Sequence, residues 1–261
     1  GDISGIQLQQ TSASSGNAVV RIQGLGGKYT QVLRDGLPLY SGLSGNFGVL
    51  SVQPLDLKQI EIIKGSASTL YGGGAIGGLI NFISKTPSSK PSFSFTLNQT
   101  SLTESNANVF YSAKGKKAGV TVFAAANHGF AVDVNKDGFS DVPEFKNVNI
   151  HPRVFFYLNP RTTLALGFNT VDEYRLSGDM RYDPFDSIHK FRETDKSYRN
   201  VFDFVFENTA KNKNEFSVKG ALSQFDNMQT IYNRSAKGKQ LNGFSEISYF
   251  IPGNHDDLVI G

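Results

Sequence analysis

The 261 residues contain no cysteine and no tryptophan, two methionines and four histidines. Without Cys there is neither a disulfide framework nor thiol chemistry, and the absence says nothing about compartment. No run approaches the ~20 apolar residues that a membrane-spanning helix needs. Charge of one sign is also scarce. The net value is +3 and the basic residues are scattered, too little to imply a nucleic-acid partner, and none is expected. No Ser/His/Asp set, His/Cys metal cluster or phosphate loop is present, and Gly72-Gly73-Gly74 fits neither Rossmann nor P-loop spacing. An enzyme has no residue support. The chain starts at Gly1-Asp2 without Met, so a missing signal peptide carries no information about secretion.

What the chain does have is 21 Phe, 10 Tyr and 27 Gly at a mean hydropathy of −0.26. Aromatic-rich strands of modest hydrophobicity fit an outer-membrane barrel better than a helical membrane protein. Past the Pro/Ser linker Thr86–Pro91 the pattern has period two. Phe93, Phe95 and Leu97 oppose Ser94, Thr96 and Asn98. Val120, Val122, Ala124 and Ala126 oppose Thr121, Phe123 and Asn127. Leu164, Leu166 and Phe168 oppose Thr163, Gly167 and Asn169. Phe202, Phe204 and Phe206 oppose Asp203 and Glu207, with Arg199 in the same polar register. Phe216, Val218, Gly220 and Leu222 oppose Glu215, Ser217 and Lys219. A Lys or Arg facing lipid at the midplane costs about 2–4 kcal/mol, so these charges belong on a wet inner face.

Connector lengths alternate as well. Short turns are expected near 115–119, 159–161, 210–214 and 252–255. Longer polar loops are expected at roughly 129–150, 174–196 and 227–240, with a tighter one near 102–107. This is the pattern of short periplasmic turns and long extracellular loops. It predicts about eight strands and the start of a ninth. An unclosed wall would leave backbone groups unpaired in lipid.

Everything hangs on the stretch from Leu55 to Pro87. Ile60-Glu61-Ile62-Ile63-Lys64 alternates as a half-buried strand. Six glycines then lie between Gly65 and Gly78, before the β-rich run Leu79-Ile80-Asn81-Phe82-Ile83. Ser66–Tyr71 fits one short helical turn with Ser66 as its cap. Asp35-Gly36 is a hairpin signal. From periodicity alone, an ordinary strand–turn–strand unit of an α+β domain accounts for this equally well.

Four blocks in order carry a more specific resemblance. They are Val20–Gly27 (VRIQGLGG), Val32–Leu39 (VLRDGLPL), Ile60–Gly65 (IEIIKG) and Leu70–Asn81 (LYGGGAIGGLIN). Together they resemble the plug domain of TonB-dependent outer-membrane receptors. The resemblance implies a mainly β chain, with an α+β plug domain (1–87, its N-terminal part missing) inside a large antiparallel transmembrane β-barrel. Residues 88–261 would supply only the first eight or nine strands. It implies the outer membrane of a Gram-negative bacterium, contact with its lipid, and TonB with its inner-membrane energising complex as partner. The implied mechanism is capture of a scarce ligand and its release through the plug to the periplasm. A ferric siderophore leads as cargo, then cobalamin, then haem or an oligosaccharide. Ligand contacts are implied at the plug apex, at Tyr40, Ser41, Gly42, Ser44, Asn46 and Phe47, and at Tyr71. Glu61 and Lys64 match the plug's charged strand, whose polar contacts to the barrel hold the plug in place.

The loop Asp133–Glu144 matches the calcium spacing D-x-N-x-D-G with a Glu at position twelve. Asp133, Asn135, Asp137 and Glu144 would offer side-chain oxygens to Ca²⁺, Phe139 its carbonyl, and Asp141 a contact through water. The other reading is an acidic, solvated loop. A calcium-ordered loop would point to the cobalamin branch of the resembling family. Of His128, His151, His189 and His255, none forms a recognisable pair, and each reads as structural rather than haem-binding. Tyr174, Arg175, Arg181, Tyr182, Phe185 and His189 read either as an interface girdle or as contacts for an anionic or aromatic ligand. A different class stays open: a secreted, calcium-binding all-β binding module, soluble on its own in water.

Overall fold

The computed structural model describes residues 4–10, 18–40, 54–66, 73–186, 188–253 and 256–261. Three sheets account for nearly all of it. The alternating, aromatic and β-branched runs form strands that pair with their chain neighbours, as short connections favour.

A hairpin of β1 (Ile6–Gln10) and β2 (Ala18–Ile22) comes first. A four-stranded sheet follows, built from β3 (Thr30–Arg34), β4 (Leu37–Tyr40), β5 (Leu57–Lys64) and β6 (Gly78–Ser84). Its order is β4-β3-β6-β5, with β3 and β6 parallel and the outer pairs antiparallel. Val20, Ile22, Val32, Ile80 and Phe82 make its core, with Ile6, Leu39, Leu57 and Ile62 packed around them. Asp35-Gly36 forms the β3–β4 turn, both residues at positive φ (52° and 80°). The expected helical turn at Ser66–Tyr71 lies outside the described residues apart from Ser66.

Gly78 opens β6 at φ 136°, and a Cβ there would collide with the Ile63 carbonyl oxygen of β5. The parallel and antiparallel pairings of β6 both start at this residue. Gly78→Ala is therefore expected to destabilise the small sheet by at least the 1–3 kcal/mol of a strained backbone. A lowered denaturant midpoint for exchange of the β3 and β6 amides would register the loss. An unchanged midpoint would refute it.

Nine antiparallel strands in sequential order form the third sheet, a curved wall. They are β7 (Ser92–Gln99), β8 (Ser105–Lys114), β9 (Ala118–Gly129), β10 (Glu144–Asn159), β11 (Thr162–Gly178), β12 (Arg192–Thr209), β13 (Glu215–Ile231), β14 (Arg234–Ile251) and β15 (Leu258–Ile260). One face carries Phe93, Phe95, Leu97, Ile150, Val154, Phe156, Phe168, Phe202, Leu222 and Ile247, all exposed. The opposite face carries Phe123, Asn149, His151, Arg153, Phe155, Val201 and Val205, all buried. The small sheet lies against this second face. The apolar rows thus look outward and do not pack on one another as a sandwich would require.

Connectors at one end run over 115–117, 160–161, 210–214 and 252–257, and at the other over 100–104, 130–143, 179–191 and 232–233. The long loop expected at 227–240 is not one. β13 and β14 pair through to Ile231↔Arg234, leaving Tyr232 and Asn233 as a tight turn. Polar residues on both faces there mimic a loop in sequence, although they sit on strands that outrun the apolar band. Tyr174 and Arg175 likewise belong to β11 rather than to a loop.

Candidate functional site

The junction between the small sheet and the wall is where charge concentrates. Arg34, the last residue of β3, donates through Nη2 to both oxygens of Asp56 at 2.9 and 2.8 Å. Asp56 ends a short 3₁₀ turn, Pro54–Asp56, and is 3% exposed. Its Oδ2 lies 3.0 Å from Nδ1 of His151 on β10. Two residues along the same inner face, Arg153 Nη1 reaches Asp35 Oδ2 at 3.1 Å. Asp35 also accepts the Ser84 N–H at 2.8 Å. Period two places His151 and Arg153 side by side, and the β3–β4 turn and the 3₁₀ turn bring one carboxylate to each.

Asp203 on β12 faces the same space, and opposite it stands Gly167 of β11, whose missing side chain leaves the carboxylate room. Lys219 on β13 brings its Nζ against Gly36. Arg34 and Arg153 thus pair with Asp56 and Asp35, with Asp203 and Lys219 beside them. A cavity of about 20 Å³ lies among Arg34, Asp35, His151 and Asp203, the size of a single water. Burial by itself would push the Asp56 carboxyl up. The Arg34 guanidinium, then His151 and Arg153, outweigh it and hold Asp56 below the usual carboxylate range.

Two apolar contacts flank the charges. Leu37 inserts among Phe155, Ala165, Val201, Val205 and Ala221. Leu55 packs on Phe110, Phe123 and Ala125, beside Lys85, whose Nζ sits 4.9 Å over the Phe110 ring and donates to the Leu55 carbonyl at 2.6 Å.

Sequence reasoning named few of these groups. Asp35-Gly36 was legible as a turn, and Asp203 and Lys219 as inner-face charges. Arg34, Asp56 and Arg153 were not singled out and His151 was read as structural without a partner, although the inward parity of β10 was there to find. Glu61 and Lys64, expected to hold the wall, make no contact with β7–β15 among the described residues. β5 is the far edge of the small sheet, whereas β4 at the opposite edge packs on β13. Glu61 accepts from Gln59 (2.8 Å) and Asn81 (3.1 Å), and Lys64 donates to the Ser4 carbonyl. Glu61 still supports the junction at one remove, because Asn81 Oδ1 accepts the Gly36 N–H at 3.0 Å.

The expected ligand contacts Ser41, Gly42, Ser44, Asn46, Phe47 and Tyr71 lie outside the described residues. Tyr40 ends β4, and its side chain is likewise outside them. In the 130–143 loop the carboxylates turn inward on the loop's own backbone. Asp133 accepts N–H groups of Lys136, Asp137 and Gly138, Asp141 those of Val134 and Asn135, and Asp137 that of Phe139. Glu144 stands on β10 beside Lys146 at 3.3 Å. No group of three carboxylate or histidine side chains is placed to hold a metal ion among the described residues. Short polar side chains serve the same spacing as turn caps.

That loop is instead sewn to the next one. Met180 N donates to Gly138 O and Ser140 N to Gly178 O, both at 2.9 Å, and the Phe139 and Phe191 rings lie 6.2 Å apart. His189 Nδ1 contacts Asp179 Oδ2 at 2.5 Å, and Arg192 stacks 4.9 Å over Tyr182. Phe185 is 95% exposed.

A four-stranded sheet seated by ion pairs inside a wall with an apolar outer face is the architecture of a plugged barrel, and comparison with known proteins agrees. Residues 1–79 match the model of the TonB-dependent Receptor Plug Domain. The chain carries the plug domain of the TonB-dependent receptors. It is 32% identical over 106 residues to the ferric enterobactin receptor PirA of Pseudomonas aeruginosa, covering 36% of this chain and 14% of that one. It is 25% identical over 200 residues to the vitamin B12 transporter BtuB of Vibrio vulnificus, covering 75% and 30%. The crystal structure of the siderophore receptor PirA from Acinetobacter baumannii superimposes with a TM-score of 0.72 at 19% identity, over 95% of this chain and 42% of that one. The chain thus spans well under half the length of these proteins. They are receptors and transporters rather than enzymes, and the outer membrane of a Gram-negative cell is the compartment of this one. The small sheet is the plug, and β7–β15 are part of the barrel wall.

Proposed function

We propose that this chain forms the plug and part of the wall of an outer-membrane transporter that imports a ferric siderophore to the periplasm. TonB, energised from the inner membrane, supplies the work, and the cargo docks at the plug apex around Tyr40–Phe47 and Tyr71. One observation carries the reading: the plug is held to the wall through Arg34, Asp56, His151, Asp35 and Arg153 rather than through a broad apolar seal. A buried ion pair contributes little net stability and suits a registry or release device. The Nε atoms of Arg34 and Arg153 are buried without a hydrogen-bond partner, so the junction is strong enough to seat the plug yet not fully satisfied. The names of the enterobactin and Acinetobacter relatives favour a ferric siderophore.

Cobalamin is the second reading, favoured by the vitamin B12 transporter that aligns with 75% of this chain. Uptake in a deletion strain separates the two. Loss of the full-length gene should abolish uptake of one radio-iron-labelled siderophore, restored by the gene on a plasmid, while labelled cobalamin enters as before. Loss of cobalamin uptake alone would move the assignment to the second reading. If neither uptake falls, import of these cargoes is refuted.

A further inference from the structure

Moving the plug would leave an unanswered charge on the wall. Arg34 and Asp56 both belong to the plug, so their pair travels with it intact. Asp35 keeps the Ser84 N–H that it already accepts, since β6 is a plug strand too. On the wall, His151 loses the Asp56 oxygen and Arg153 loses Asp35. An imidazole can shed its proton and stay neutral, whereas a guanidinium keeps its charge. Arg153 is therefore the group that needs a second carboxylate. Its Nε is already buried without a hydrogen-bond partner.

Such a carboxylate stands two strands away. The registers Arg153↔Gly167 and Gly167↔Asp203 set the three residues in one row across β10, β11 and β12. Neighbouring strands are about 4.8 Å apart, so Arg153 and Asp203 are rooted about 10 Å from each other. No side chain of β11 separates them in this row, because the intervening residue is glycine. The Asp203 carboxylate leans over it, and a Cβ on Gly167 would collide with both of its oxygens. Asp203 makes no hydrogen bond or ion pair among the described residues. It lines the water-sized cavity together with Arg34, Asp35 and His151, and is the one wall carboxylate among the described residues there.

We propose that Asp203 is the wall's substitute for Asp35: as the plug withdraws, the Arg153 guanidinium swings across Gly167 onto Asp203. One ion pair replaces another, so no cation is stranded on the wall, and Asp35 recovers Arg153 when the plug returns. Asp203 is thus a positioning residue for plug movement and touches no cargo. The exchange rests on the reading of a plug that moves during import.

The test uses the full-length receptor. D35G removes the plug's carboxylate while keeping the positive φ of that turn. In its crystal structure the Arg153 guanidinium should lie within hydrogen-bond distance of Asp203. An Arg153 that stays in place, or turns to another group, would overturn the proposal. In a second measurement the plug is drawn out at constant force by a handle at its N-terminal end. D203N should unseat about fivefold more slowly than wild type, the worth of an ion pair in contact with water, and D203E at nearly the wild-type rate. A merely structural carboxylate predicts the reverse, a plug that unseats faster without it. Equal or faster unseating of D203N, or slow unseating of D203E, would overturn the exchange. Neither measurement needs a cargo, so a failed siderophore assignment and a failed exchange are told apart.

Discussion

Asp56→Ala in the full-length receptor is expected to loosen the plug from the wall by about 3–5 kcal/mol, the cost of breaking a buried pair from one side. Arg34 would lose both its carboxylate contacts, and its Nε already has no partner. His151 would lose the oxygen at 3.0 Å while still facing Arg34 and Arg153. The β3 and β6 amides should then exchange faster by roughly two to four orders of magnitude, with the wall amides of β11–β13 unaffected. Glu61→Ala at the far edge is the control, and should cost about 1 kcal/mol for its hydrogen bonds. If both variants exchange like wild type, the junction does not seat the plug.

The pH dependence follows from the same carboxylate. Asp56 is held below its ordinary value of 3.8 by Arg34, His151 and Arg153 against the effect of burial. A group with a depressed folded pKa stabilises the folded state at all pH values above its unfolded pKa. That contribution is lost as pH falls through the folded value. Between neutrality and about pH 4 the Asp56 contribution to seating should therefore be constant, weakening only below that.

The wall was largely legible in the sequence because lipid and lumen impose opposite demands on alternate residues. Phe93-Phe95-Leu97 and Phe202-Phe204-Phe206 gave strand, face and direction together. Where that demand lapses, the reading failed. Residues 227–240 looked like a loop because strands outside the hydrocarbon carry polar residues on both faces. The plug was legible through its glycine-spaced blocks, but its junction was not. Asp56 sits in a three-residue turn with no period to mark it, and its partner His151 lies 95 positions away. Only the sheet order shows which plug edge meets β7–β15, and the charged groups at that edge are Arg34, Asp35 and Asp56. The acidic loop shows the converse. A spacing suited to calcium also suits aspartates that cap a tight turn, and the structure shows those caps at Asp133, Asp137 and Asp141.

Leu166→Arg tests the orientation of the whole wall. Leu166 lies on the outer face of β11 in the middle apolar row, beside Val154 of β10 and Phe204 of β12. An arginine there would face hydrocarbon with no water in reach, at a cost of about 2–4 kcal/mol. Thr194, on the outer face of β12 beyond Phe202, Asn200, Tyr198 and Lys196, would place the same charge in water or headgroups. Its arginine variant should cost about 0–1 kcal/mol. Folding of the full-length receptor into phospholipid vesicles, followed by denaturant titration, reads both. A depth-dependent difference is the signature of a lipid-facing wall. A soluble calcium-binding module predicts no such difference and no need for vesicles, so equal costs at positions 166 and 194 would reverse the inside and outside assigned to every strand from β7 to β15.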